Sequence, residues 1–343
     1  MNHGGNIYQF ARRLGCLPEQ VLDFSANINP EQAVDLSCLQ NVSLTPYADP
    51  EYSDLKQALV QRYPILPGAA IEVFNGASAA IFSLLRVLQP QDLVLYTPLY
   101  GEYAHIAGEL GCVVHNISRL DNILAEVPKY STVIFVNPST PDGQLYELQD
   151  LLARWQAAQC TIIIDESFLD FCAVASVAEH ITQYDKLYVI KSLSKFYGCA
   201  GIRIGYVMAA SSAIKDLQCL EPAWKLSSLD MTYMQQALAN TAFIDQTRQQ
   251  TRHLRELLFK VLQNCSLFRH IYPGQANFLL ARLVTDVDGY KLQTALESSR
   301  ILIRVCDNFE GLDKHHVRFA VKNEQAITLL AQGLTDFKNK KTP

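Results

Sequence analysis

Apolar residues gather in short runs along the first two thirds of the chain: IEVFN (71–75), LVLYT (93–97), CVVHNI (112–117), TVIFVN (132–137), TIIID (161–165), LYVI (187–190) and IGYVM (204–208). Most are apolar at every position, not at alternate ones, which predicts strands buried on both faces. Between them, segments such as AAIFSLLRVL (79–88) and LQDLLARWQAA (148–158) repeat apolar residues every three or four positions and predict helices. Strands alternating with helices imply a mostly parallel sheet covered on both sides.

After about Leu220 the rhythm changes. A long helical stretch with Leu254, Leu257, Leu258, Val261 and Leu262 as its apolar positions leads into strand patterns at NFLLARL, ILIRV and VRFAV and a last helix. This α+β pattern predicts a second, smaller unit, so the fold class is α/β: a large domain at 41–225, with a linking helix and small domain at 226–343. No Pro/Gly/Ser-rich linker divides them, which favours a shared cleft over two independent units.

A 343-residue chain that is 49% hydrophobic and 18% charged can bury a sizeable core. Its formal net charge of −5, with a basic run only at the tail from Lys338 to Lys341, argues against nucleic acid as a partner. The nine cysteines are scattered without a CxxC pair, so neither a disulfide framework nor a metal site is expected. No window approaches the roughly 20 apolar residues of a membrane span, and a reducing cytoplasm is the expected location.

Ligands of an open α/β sheet bind beyond the carboxyl ends of its strands. There, IEVFN runs into Gly76-Ala77-Ser78 and a helix, TVIFVN ends at Asn137-Pro138, TIIID ends at Asp165-Glu166, and LYVI ends at Lys191-Ser192-Leu193-Ser194-Lys195. Gly-Ala-Ser opening a helix offers free backbone N–H groups to a phosphate, although a tight turn capped by Ser78 explains it equally well. Asp165 leaves a buried strand and needs a cation, either an arginine or a protonated ring nitrogen. Lys195, eight residues before Arg203, is by itself an ordinary surface lysine; with its pKa lowered it becomes a nucleophile for an aldehyde. Lysine, carboxylate and phosphate cradle together match the needs of pyridoxal phosphate.

With these residues in place, the chain resembles the fold-type I pyridoxal-phosphate enzymes, in the branch of the histidinol-phosphate aminotransferases and the threonine-phosphate decarboxylases. The motifs span essentially the whole chain: HGGNIYQFARRLG, LDFSANINP, TPYADPEY, FNGAS, TPLYGEY, NPSTPDG, IIDESFLDF, SLSKFYGCAGIRIGY, QANFLL and ILIRVCDNFEGL. The resemblance implies a large domain whose mixed, mostly parallel sheet lies between helices, a smaller α+β domain, and an N-terminal arm (1–40) packing with it. It makes Lys195 the Schiff-base lysine and Asp165 the partner of the pyridine nitrogen. Gly76, Ala77, Ser78, Ser192, Ser194 and Arg203 would hold the cofactor phosphate, joined by Tyr47 of the second subunit of a homodimer. Tyr100 would stack on the ring. Arg304 and Arg318 would hold the anions of a phosphorylated amino-acid substrate, with His3 and Asn29 lining its site.

Two departures from the family pattern stand out. The segment that in the family usually reads N-P-N-N-P-T-G is here Asn137 to Gly143, with Thr140 where an asparagine amide donates to the cofactor's phenolic oxygen. Phe168 occupies a position where the aminotransferases generally have tyrosine and the decarboxylases commonly phenylalanine. The implied activity is decarboxylation of L-threonine O-3-phosphate. Transamination of histidinol phosphate or another amino acid remains open at this point, as does a catalytically inert cofactor-binding scaffold, which Thr140 motivates.

Overall fold

The computed structural model describes residues 4–341. Its strands are β1 Leu22–Asp23, β2 Ala69–Asn75, β3 Asp92–Thr97, β4 Val113–Ser118, β5 Thr132–Val136, β6 Thr161–Asp165, β7 Leu187–Ser192, β8 Ile204–Ala210, β9 Phe268–Ile271, β10 Phe278–Leu283, β11 Ile301–Leu302, β12 Arg304–Val305 and β13 His316–Ala320. The helices are α1 Ile7–Leu14, α2 Ser53–Arg62, α3 Gly76–Leu88, α4 Glu102–Leu110, α5 Gln149–Ala157, α6 Leu193–Phe196, α7 Ser211–Cys219, α8 Ser228–Ala239, α9 Thr241–Gln263, α10 Gly289–Leu296 and α11 Glu324–Lys341.

A seven-stranded sheet in the order β2-β8-β7-β6-β5-β3-β4 forms the larger unit, with β8 antiparallel to both its neighbours and the remaining pairs parallel. The all-apolar strands have the expected cause. In β6, Ile162 and Ile164 enter the core under α2, α5 and α8, while Ile163 enters the opposite core under α3, α4 and α7. A strand with helices on both faces has no solvent side on which to place polar residues.

The smaller unit has the antiparallel order β12-β13-β10-β9. Val317 and Phe319 of β13 and Leu279 and Ala281 of β10 pack into a core with Leu254, Leu258 and Leu262 of α9 and with α10 and α11. Period-two alternation turns the other face of this sheet toward the large unit, and there Arg304 and Arg318 are cross-strand partners. The N-terminal segment ties the units together: β1 pairs in parallel with β11, Phe24 enters the small core, and the Asn29 N–H donates to the Lys195 carbonyl. The change from one core to the other falls inside α9, whose first turn carries Phe243 and Ile244 into the large core.

Candidate active site

A cavity of about 450 Å³ opens between the two units at the carboxyl ends of the large sheet's strands. Ala77 and Ser78 reach it from the start of α3, Thr140 from the loop after β5, Asp165 and Phe168 from the end of β6, and Ser192, Ser194 and Lys195 from the β7–α6 turn. Tyr100 and Arg203 also line this wall, Arg304 and Arg318 close the side formed by the small sheet, and Gly4, Gly5 and Ser25 border the mouth.

The turn from β2 into α3 depends on two glycines. Gly76 adopts φ +80, and a Cβ there would stand 2.6 Å from Nη2 of Arg203. Gly205 of β8 lies so close beneath that a Cβ would meet the Ala77 nitrogen at 2.3 Å. Both positions therefore exclude side chains and let backbone N–H groups and the Arg203 guanidinium converge. Arg203 Nη1 donates to the Ala200 carbonyl at 3.1 Å, and Ser78 Oγ and Tyr100 OH lie 3.3 Å apart.

Asp165 is held on both oxygens: Tyr103 OH donates to Oδ2 at 3.0 Å and the Ser167 N–H to Oδ1 at 2.8 Å. Tyr103, fully buried in α4, is a supporting residue that sequence reading missed, and its only sequence signal was Asp165's need for a partner. The Lys195 ammonium lies 4.4 Å from the centre of the Phe168 ring. Burial pushes its pKa below the ordinary lysine value; Asp165 opposes that shift, whereas Arg318 and Arg203 add to it.

Arg318 is buried and has no carboxylate partner among the described residues. Nη1 donates to Thr140 Oγ1 at 2.9 Å and Nη2 to the Ser25 carbonyl at 2.8 Å, while Nε is buried without a partner. Desolvation lowers its pKa to about 10, with neighbouring Arg304 adding to the effect. Arg304 Nη2 donates to Asn308 Oδ1 at 2.6 Å. The cavity thus gathers Lys195, Arg203, Arg304 and Arg318 against one carboxylate, Asp165. Arg318 Nε, Asn27 Oδ1 and Ser167 Oγ, all on lining residues, are buried without hydrogen-bond partners. Such a wall is built for an anionic, hydrogen-bonding occupant.

Not every expected residue joins this wall. Asn29 turns away, donating to the Phe196 carbonyl and toward Thr247 Oγ1, and Asn27 borders the cavity in its place. Tyr47 is 78% exposed and stacks on Trp224 at 4.7 Å, outside this cavity. Thr140 does line the cavity, but its oxygen is engaged by Arg318. His3 lies outside the described residues. No group of three or more His, Cys, Asp or Glu placed to hold a metal occurs among the described residues.

Comparison with known proteins adds the following. The family model described as aminotransferase class I and II matches residues 4–334. Threonine-phosphate decarboxylase of Salmonella typhimurium is 31% identical, covering 97% of this chain and 96% of its own. The adenosylcobalamin biosynthesis bifunctional protein of Leptospira interrogans is 28% identical over 94% of this chain, and the match spans 39% of that longer protein. Among solved structures, histidinol-phosphate aminotransferase from Clostridium acetobutylicum superposes with a TM-score of 0.82 at 27% identity, covering 93% of this chain and all of that one.

Proposed function

Because the chain belongs to the class I and II aminotransferase family, we propose that it is a pyridoxal-phosphate-dependent decarboxylase of a phosphorylated amino acid. The sheet arrangement is the fold-type I fold of that family, and pyridoxal 5′-phosphate is the cofactor. The reaction we infer converts L-threonine O-3-phosphate to (R)-1-amino-2-propanol O-2-phosphate, a step toward cobalamin. The observation that carries it is the pair of cross-strand arginines without carboxylate partners among the described residues, which suits a substrate bearing both a carboxylate and a phosphate. The names of two relatives support the same reading.

The cavity's residues fit the cofactor. Lys195 supplies the amine that would hold it, Arg203, Ser78, Ser192, Ser194 and the α3 N-terminus the cradle for its phosphate, Tyr100 a ring face, and Asp165 the acceptor for its ring nitrogen. When bound, the cofactor supplies a sink for the electron pair released at the substrate's α-carbon. The chain's own contribution is orientation and dryness. Arg318 and Arg304 grip the two anions and so decide which bond at the α-carbon is aligned for cleavage. Burial strips water from the carboxylate that departs as CO2. Asp165, fixed by Tyr103 and Ser167, holds a proton at the ring nitrogen, and the Lys195 amine carries the proton that replaces CO2 at the α-carbon.

Transamination is the competing reading, supported by the likeness to histidinol-phosphate aminotransferase; Lys195 would then remove the α-proton. Incubating purified protein with cofactor and L-threonine O-3-phosphate decides between them. Decarboxylation predicts CO2 release without added keto acid. Amino transfer dependent on 2-oxoglutarate, with no CO2, overturns it, and serine phosphate run alongside measures a methyl group worth about 1–3 kcal/mol.

We further propose a cytoplasmic homodimer. Tyr47, exposed and outside the lining of its own chain's cavity, would serve the neighbour's cofactor phosphate. No described helix is long and apolar enough to cross a membrane, and neither a membrane nor nucleic acid enters this reading.

A further inference from the structure

We propose that Lys322 is a positioning residue that acts through Asn27: its ammonium fixes the bend of chain that presents the Asn27 amide to the occupant of the cavity. The inference rests on reading that occupant as a phosphorylated amino acid. Its physical core is the way residues 24–28 are held. They belong to no helix or strand, yet every carbonyl in the run has a donor. The Ala320 N–H donates to the Phe24 carbonyl at 2.8 Å, Arg318 Nη2 to that of Ser25 at 2.8 Å and Asn277 Nδ2 to that of Asn27 at 3.1 Å. Lys322 Nζ straddles the remaining two, the carbonyls of Ala26 and Ile28, at 3.4 Å from each. All four donors come from the small unit, on β13, just beyond it, or just before β10. At the far end of the run the Asn29 N–H is tied to the Lys195 carbonyl at 3.0 Å.

Lys322 is the costly member of this set. It is largely buried, and no carboxylate lies within ion-pair distance of it among the described residues. Burial pushes its pKa below the ordinary lysine value, opposed by Asp23. That carboxylate is itself committed to the same run of chain, since Asp23 Oδ1 accepts from the N–H groups of Ser25 and Ala26 and from the Ser25 hydroxyl. An ammonium held by backbone oxygens alone is a poor way to stabilise a fold. What it does here is geometric. The two carbonyls it gathers flank a single residue, Asn27, so drawing both toward one point bends the chain there. Asn277 holds the Asn27 carbonyl, which leaves the side-chain amide as the free part of the residue. That amide lies in the cavity wall, only 6% of Asn27 is exposed, and its Oδ1 is buried without a partner. An amide offers both a donor and an acceptor, so the bend decides where one polar contact to the occupant is made.

The test is a double-mutant cycle on the protein loaded with pyridoxal phosphate. It reads the dissociation constant of 3-phosphoglycerate, which carries a carboxylate, a phosphate and a hydroxyl but no amine to react. Asn27→Ala should weaken binding about tenfold, from loss of one charge-assisted hydrogen bond. Lys322→Met should weaken it about five- to tenfold, while Lys322→Arg, which still reaches both carbonyls, stays within about threefold of the wild type. With Asn27→Ala already present, Lys322→Met should add less than about twofold, because a residue acting through Asn27 has nothing left to position. A lysine acting on the anion by its charge alone would give losses that multiply. That result, or wild-type affinity in Lys322→Met, overturns the proposal. If Lys322→Met yields no holoprotein, the same cycle is read with Lys322→Gln, whose shorter side chain cannot span both carbonyls, and multiplying losses there overturn the proposal equally. A wild type that borohydride fixes to the cofactor at Lys195 but that does not bind 3-phosphoglycerate removes the reading of the occupant, and the proposal with it.

Discussion

Lys191, near the end of β7, and Lys195, in α6, stand four residues apart, the first buried and the second largely so, yet they face opposite electrostatic worlds. Lys191 closes an internal balance: its Nζ lies 3.2 Å from Glu166 Oε2 and 3.7 Å from Asp170 Oδ1, and Tyr63 OH donates to Asp170 Oδ2 at 2.8 Å. Burial alone would lower its pKa, but Asp170 and Glu166 outweigh burial and hold the ammonium above its ordinary value. Around Lys195 the balance is left open, with one carboxylate against several cations and a lowered pKa. A buried charge that its own chain compensates is architecture, whereas one left without compensation marks a place for a ligand.

That contrast can be broken by substitution. Lys195→Ala should abolish covalent retention of the cofactor and lower turnover by at least about 10³-fold, with the thermal transition of the cofactor-free protein not lowered. Lys191→Met should do the reverse. Removing the cation from two buried carboxylates destabilises the fold by about 3–5 kcal/mol in denaturant titration, while the absorbance of surviving holoprotein stays that of the wild type. Asp165→Asn should cut turnover by about 10²–10³-fold without a comparable loss of stability, since its carboxylate serves the occupant more than the fold. Tyr63→Phe is the mildest, about 1–3 kcal/mol of stability from one hydroxyl bond to Asp170, with no spectral effect.

The pH dependence of stability separates the lysines as well. For Lys191 the folded pKa is raised, so its stabilising contribution is complete below the ordinary lysine range and is lost as pH rises through the raised value. For Lys195 the folded pKa is lowered, so in the cofactor-free protein its buried ammonium opposes folding at low pH and the penalty is relieved as pH rises through the lowered value. Denaturant midpoints of Lys191→Met and Lys195→Ala followed between neutral and alkaline pH should therefore move in opposite directions relative to the wild type.

The large sheet was legible because burial on both faces leaves unbroken apolar runs, as Ile162, Ile163 and Ile164 illustrate. The edge strand β4, exposed along much of its length, was legible only from its β-branched residues, and two other strands were not legible at all. β9, with Arg269 and His270 exposed at the sheet's edge, and β1, two residues defined by pairing with β11, carry no local signal. Lys195, Asp165 and Arg203 could be picked out because strand ends are where such a sheet presents chemistry. The structural role of Lys191 could not, because Glu166 and Asp170 reach it only through the pairing of β6 with β7. Asn29 and Asn27 show the same limit at finer scale: the segment was identified, but which asparagine turns inward depends on contacts with Phe196 and Thr247.

Borohydride reduction of the holoprotein followed by peptide mapping tests the difference between the two lysines most directly. The predicted result is a phosphopyridoxyl group on Lys195 and none on Lys191. Label on Lys191, or a protein that takes up pyridoxal phosphate and yields no label on Lys195, would contradict it.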